Sequence, residues 1–237
     1  MLDIIIPVYN EDKNIIKTFD EIEKYINAEK IVSVIYDFDE DSTIPVVNDV
    51  KDKYSFKIEL VKNDIKRGVV YAIKKGLTST NNDAVLVMMA DLSDNLDVVD
   101  SMYNKIKEGY DVVCGSRYMK GGEQHGGPIL KGFLSRMAGL SLHFLTGIPT
   151  HDISNSFKMY SRKILNNINL ESTGGFEVGL EIVVKAYCGG FKVCEIPSQW
   201  YDRTEGTSNF YLWKWLPHYL HWYFYCIKNK YFGKRTQ

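Results

Sequence analysis

The stretch Val85-Leu86-Val87-Met88-Met89, followed by Ala90-Asp91-Leu92-Ser93-Asp94, constrains this chain more than any other. Five uninterrupted apolar residues read as a strand buried on both faces, inside a sheet covered by helices on either side. Carboxylates at its end then project where open α/β sheets bind their ligands, beyond the carboxyl ends of the strands. A hard cation such as Mg²⁺ or Mn²⁺ takes oxygen ligands, often one or two carboxylates completed by substrate phosphates and water. Asp91 and Asp94 serve equally well as caps for a helix predicted over Asn95 to Lys107. The stretch alone does not choose.

Around it, the pattern alternates strand and helix. Strands are predicted at Leu2–Val8, Ile31–Tyr36, Phe56–Val61 and Tyr110–Cys114. Helices are predicted from about Glu11 to Ala28, after Pro45, and from Arg67 to Thr78. Ile15, Ile16, Phe19, Ile22 and Ile26 make one apolar face of the first helix. Such alternation implies right-handed βαβ units and a mostly parallel sheet. The second half is less regular. Six glycines in 18 residues between Gly115 and Gly132 predict a long mobile loop. An amphipathic helix is predicted at Lys131–Thr146, then a short strand at Ser156–Tyr160, a helix at Glu177–Tyr187 and a strand at Phe191–Ile196.

Charge is unevenly spread. No Asp or Glu follows Glu205, whereas Lys214, Lys228, Lys230, Lys234 and Arg235 lie beyond it, so the last 32 residues carry +5 and the first 205 carry −6. The same tail holds 11 of the 31 aromatic residues, which points to a membrane surface or another partner rather than to nucleic acid. Its longest uncharged stretch, Trp215 to Ile227, is shorter than the ~20 apolar residues a spanning helix needs. Pro217 suits the first turn of a helix running to about Lys228. Cys114, Cys188, Cys194 and Cys226 show no ligand spacing and read as reduced thiols. A first strand beginning at Leu2 leaves no room for a signal peptide, so a cytoplasmic protein at the membrane face is expected. A body over residues 1–209 and a helical appendage over 210–237 are the expected divisions.

Polar turns follow three strands: Pro7-Val8-Tyr9-Asn10-Glu11, then Asp37-Phe38-Asp39-Glu40-Asp41-Ser42-Thr43, then the Asp91 turn. Each alone has a capping explanation, but together they line one edge of one sheet. Neither GxGxxG nor GxxxxGK[ST] is present, so a metal and basic side chains must hold any phosphates.

These three turns resemble the signatures of family 2 glycosyltransferases of the GT-A fold. Gly115-Ser116-Arg117-Tyr118 with Gly121-Gly122, Ser135-Arg136, Asp152 to Lys158, and Asp202 to Ser208 are similar to the dolichol-phosphate mannose synthase-like branch. The resemblance implies an inverting transferase moving a sugar from a nucleotide-diphosphate sugar to a polyisoprenyl-phosphate or related lipid-linked acceptor, with Mg²⁺ or Mn²⁺. Carried over residue by residue, Pro7, Tyr9, Glu11, Asp37 and Asp39 would hold the nucleoside. Ala90, Asp91 and Ser208 would also bind the nucleotide, and Asp91 with Ser93 would bind the metal. Arg203 would close over the phosphates, Arg117 and Asp152 would serve at the reacting centre, and Ser135 and Arg136 would face the acceptor.

The chain departs from the family pattern at Met89, where an acid of the triplet is missing, and at Val178, Gly179 and Asn209; Lys158 replaces an arginine. If the acceptor were a sugar hydroxyl in surface glycan synthesis, a base would be required, with Asp152 or Glu177 the candidates. The loss at Met89 also fits a catalytically weak nucleotide-sugar binding protein. Without the family context, Arg136 reads as a solvated helix position and Glu177 and Glu181 as surface carboxylates.

Overall fold

The computed structural model describes residues 1–202 and 212–233. Its centre is β1 (Leu2–Pro7), buried at all six positions because it has a parallel strand on each side and a helical layer on each face. Helix α1 (Ile15–Tyr25) buries the stripe Ile15, Phe19 and Ile22 against one face. Then follow β2 (Lys30–Tyr36), α2 (Thr43–Val50), β3 (Lys57–Lys62), α3 (Val69–Ser79), β4 (Ala84–Val87) and α4 (Val99–Lys107). Beyond these lie β5 (Val112–Ser116), β6 (Glu123–His125), α5 (Ile129–Thr146), β7 (Lys158–Ser161), α6 (Arg162–Asn167), α7 (Val178–Cys188), β8 (Val193–Pro197), β9 (Gln199–Tyr201) and α8 (Leu212–Phe232).

The seven-stranded sheet has the order β3-β2-β1-β4-β7-β5-β8, all parallel except β7. One apolar layer joins α1, α2 and α4 to the sheet, and a second joins α3 and α5 to α8. Strand order reverses between β2-β1 and β4, which opens the crevice over the carboxyl ends. Antiparallel β7 brings its entrance to that same edge rather than its exit. Residues 152–157 therefore meet the turns that leave β4 and β5.

The Gly115–Gly132 segment differs from the loop expected. Its start completes β5, and β6 within it pairs with β9 in a separate two-stranded sheet. Glycine serves close packing here: a side chain at Gly122 would begin 2.2 Å from the Ser116 carbonyl oxygen. Pro217 lies inside α8 rather than in its first turn. Helix α8 packs on α5 and α7, with Trp222 and Cys226 buried and Trp222 Nε1 donating to Ser172 Oγ at 3.0 Å.

Candidate active site

Beyond β4, Ala90 is buried and its carbonyl accepts from Thr18 Oγ1 at 3.1 Å, so its place is structural. Leu92 takes a left-handed φ of 59°, uncommon for a bulky residue, and the turn lets Ser93 N donate to Asp91 Oδ1 at 3.2 Å. Asn95 caps the following short helical turn, accepting from Asp97 N at 3.3 Å. Neither Asp91 nor Asp94 is therefore needed as a cap, and both line a cavity of about 310 Å³. Burial, and then the charge of Asp91, pushes the Asp94 carboxyl up to about 7. Beside them Ser93 Oγ is buried with no hydrogen-bond partner among the described residues. Oxygen donors at Asp91, Ser93 and Asp94 suit Mg²⁺ or Mn²⁺. Among the described residues no three His, Cys, Asp or Glu side chains converge to hold a metal by themselves. Phosphate and water must complete any such site.

The second polar centre is Arg117, at the exit of β5. Its Nε and Nη2 donate to the two oxygens of Asp152 at 2.7 and 2.9 Å, and its backbone N–H donates to the same carboxylate at 3.1 Å. Nη2 also donates to Ser135 Oγ and Ser154 Oγ, both at 3.2 Å. Asp152 is fully buried and the Arg117 side chain is 11% exposed. Burial pushes the Asp152 carboxyl up, but the Arg117 charge and hydrogen bonds outweigh it and hold the group below the usual range. Below this pair lies Lys158, buried, with Nζ donating to the carbonyls of Ile153 and Asn155. Burial lowers its pKa, and the two bonds clamp the loop that presents Asp152 and Ser154. The loop is pinned on its other side by Glu195, which accepts from His151 N at 2.7 Å. Helix α5 meets it without a spacer: a side chain at Gly139 would begin 2.0 Å from the His151 carbonyl oxygen. That approach brings Ser135 within reach of Arg117.

On the nucleoside side, Pro7 is buried in β1 and shapes the turn that follows. Tyr9 is exposed and packs edge-on against Phe38 at 5.6 Å, while the Arg67 guanidinium lies 5.3 Å from the Phe38 ring. Asp41, buried, accepts from Asn10 N and Thr43 N and knits the first two turns together. Glu11 accepts from Asn14 Nδ2 at 2.9 Å. Asp37 accepts from Asn63 Nδ2 and Gly68 N, both at 2.7 Å, and so ties the β2 turn to the start of α3. Asp39 instead forms an exposed ion pair with Lys62.

Asp152 has both of its oxygens engaged by Arg117. Glu177 and Glu181 are buried, not surface groups: Glu177 accepts from Gly174 N and Gly175 N, and Glu181 from Glu171 N, Ser172 N and Lys185 Nζ. Successive helical residues point about 100° apart, so turning Ser135 inward leaves Arg136 exposed and outside the cavity lining. Lys131, one turn earlier, lines the cavity. Arg203 and Ser208 lie outside the described residues. Trp200 and Gln124 line the cavity without having been singled out, since they fall in none of the quoted segments. The three-residue strand after Pro197 is too short for its alternation to have pointed to Trp200.

The family model described as Glycosyl transferase family 2 matches residues 3–168. The dolichol-phosphate mannosyltransferase of Pyrococcus furiosus is 28% identical over 212 residues, covering 87% of this chain and 58% of that protein. This chain thus spans well under two thirds of that relative. The polyprenol monophosphomannose synthase of Mycolicibacterium smegmatis is 27% identical over 210 residues, 86% of this chain and 79% of that one. Among solved structures, glucosyl-3-phosphoglycerate synthase from Mycobacterium tuberculosis in complex with uridine diphosphate superposes with a TM-score of 0.68 at 13% identity, covering 97% of this chain and 79% of that one. The same enzyme with Mn²⁺, UDP-glucose and phosphoglyceric acid gives the same TM-score and coverage. This likeness is one of fold.

Proposed function

Because the chain belongs to glycosyl transferase family 2, we propose that it moves a hexose, with inversion, from a nucleoside-diphosphate sugar to a polyisoprenyl phosphate at a membrane surface. One observation carries the reading. A single cavity joins the oxygen-rich Asp91 turn, the Arg117–Ser135 centre, and an apolar wall of Leu134, Ala138, Leu216 and Tyr219. A phosphate on a long apolar chain has that same order of chemistry.

In this reading Tyr9, Glu11 and Asp37 face the nucleoside, and Pro7 and Ala90 act through the shape of their turns. Asp91, Ser93 and Asp94 would hold Mg²⁺ or Mn²⁺ with the diphosphate, where a bound cation neutralises the charge that develops on the leaving group. Arg117 and Ser135 hold the acceptor phosphate, and Asp152 keeps the guanidinium extended and charged. Arg203 and Ser208 belong on the leaving diphosphate. A phosphate monoester is already an anion at neutral pH. Its oxygen therefore attacks the anomeric carbon as the bond to the diphosphate oxygen breaks, without transferring a proton to the protein. The engagement of Asp152 and Glu177 elsewhere favours this acceptor over a sugar hydroxyl.

Membrane contact rests on exposed apolar side chains of α5 and α8. Ile129 and Phe144 on α5 are 89% and 87% exposed, and Trp213 and Phe224 on α8 are also exposed. Lys214, Lys228 and Lys230 accompany them, as suits anionic headgroups. Among the described residues no helix is long and apolar enough to cross a membrane. Residues 1–209 then form the catalytic body and 210–237 the membrane-facing appendage.

The test is incubation of purified protein with labelled UDP- and GDP-hexoses, Mn²⁺ and a polyprenyl phosphate in detergent. Label should enter the organic phase and be released by mild acid. No transfer to the lipid phosphate from any donor contradicts the proposal.

A further inference from the structure

Trp200 lines the cavity at a place that neither core packing nor the roles above explain. Trp200 belongs to neither apolar layer. Its backbone is fixed to the acid turn: Asp94 and Trp200 form an antiparallel bridge, flanked by Asn95 N donating to Gln199 O at 3.2 Å and Tyr201 N donating to Ser93 O at 2.9 Å. Side chains alternate along a strand. Gln199 and Tyr201 turn to the outer side, where Tyr201 Oη donates to Gln199 Oε1 at 2.7 Å and the Tyr201 ring stacks on His125 at 4.7 Å. Trp200 turns inward, in register with Gln124 on β6, and both line the cavity. The Arg117 guanidinium lies 6.0 Å from the indole. Atoms Cζ3 and Cη2 of the indole lie 3.2 and 3.4 Å from where a side chain at Gly127 would begin, so the backbone there packs closely on that part of the ring.

The indole therefore stands between the diphosphate end of the cavity and the acceptor-phosphate end. Displacement at an anomeric carbon requires the sugar ring to lie between its leaving group and its nucleophile, in that same interval. We infer that Trp200 is the wall of the donor-sugar subsite: its indole packs against the apolar C–H face of the hexose. The inference rests on the transferase reading and adds to it a residue specific for the sugar rather than for the nucleotide. An aromatic wall with a few placed polar groups is how small polar ligands are commonly oriented.

Titration calorimetry with Mn²⁺ tests it, using UDP and GDP against UDP- and GDP-hexoses, without acceptor. Trp200→Ala should raise the ratio of nucleotide-sugar Kd to nucleoside-diphosphate Kd about tenfold, as truncation of an aromatic anchor does. Trp200→Phe should keep the ratio near wild type, and nucleoside-diphosphate affinity should be the same in all three proteins. An unchanged ratio in Trp200→Ala overturns the inference. So does an equal loss for both ligands, which would make Trp200 a support of the acid turn. Normal donor affinity with impaired acceptor turnover overturns it too, because Trp200 would then act through Arg117. Wild-type protein that binds no nucleoside diphosphate with Mn²⁺ instead defeats the transferase reading itself.

Discussion

Asp152→Asn removes one charge from the most enclosed ion pair of the site while keeping the side chain's shape. In the native chain the carboxylate is fully buried and receives two side-chain bonds and one backbone bond from Arg117, with a further bond from Asn155 N at 3.2 Å. The amide keeps one acceptor oxygen and presents an N–H₂ to the guanidinium, leaving a buried cation without its counter-charge. Breaking a buried pair in this way costs about 3–5 kcal/mol. In a chain of 237 residues that corresponds to a melting temperature lower by about 6–20 °C. The pH dependence has a definite sign. The folded pKa of Asp152 lies below its ordinary value of 3.8, so the stabilisation is fully present above that value and is lost as pH falls through the folded value. The gap between variant and wild type should therefore be constant through the neutral range and close only in acid. Thermal unfolding followed by circular dichroism reads it. A double variant, Arg117→Met with Asp152→Leu, should recover much of the stability yet remain inactive, because the pair is held for its chemistry rather than its strength. A melting temperature for Asp152→Asn within about 2 °C of wild type, the range of an ordinary surface substitution, would refute the reasoning.

Asp91→Asn should abolish Mn²⁺-dependent nucleoside-diphosphate affinity with little change in melting temperature, and calorimetry showing unchanged metal-dependent affinity would oppose the assignment. Asp94, whose carboxyl is raised to about 7 when folded against 3.8 ordinarily, keeps a proton that the unfolded chain has lost. Its contribution to metal-free stability should fall as pH rises from about 4 through about 7, and Asp94→Asn should flatten that slope in urea melts. Parallel slopes for the two proteins would count against a raised carboxyl. Gly139→Ala must push α5 away from the His151 carbonyl; acceptor turnover should drop while Mn²⁺-nucleotide affinity holds, and equal loss of both would show that α5 does not serve the acceptor alone.

The framework of the first half was legible because continuous apolar runs such as Ile4-Ile5-Ile6 and Val85-Leu86-Val87 have one stable use, a strand covered on both faces. The role of Asp91 was not decided there, since a cap and a ligand ask for the same residue. Asn95 takes the cap, a local hydrogen bond that spacing does not specify. The Arg117–Asp152 pairing was also beyond reach: it joins residues 35 positions apart and depends on β7 entering the sheet antiparallel. Glu177 and Glu181 misled because four-residue spacing marks one helix face without saying which way that face points. Their carboxylates turn inward to satisfy backbone N–H groups of the preceding loop. Trp200 was hidden because a three-residue strand carries almost no periodicity.

We propose that Arg117 and Ser135 present a phosphate, not a hydroxyl, to the donor. The most direct measurement is transfer from the active nucleotide sugar to two acceptors sharing one short prenyl chain, the phosphate and the alcohol, at equal concentration with Mn²⁺. The prenyl phosphate should be glycosylated and the alcohol should not, and Arg117→Met should abolish the reaction. Glycosylation of the alcohol at a comparable rate, or full activity on the phosphate in Arg117→Met, would contradict it.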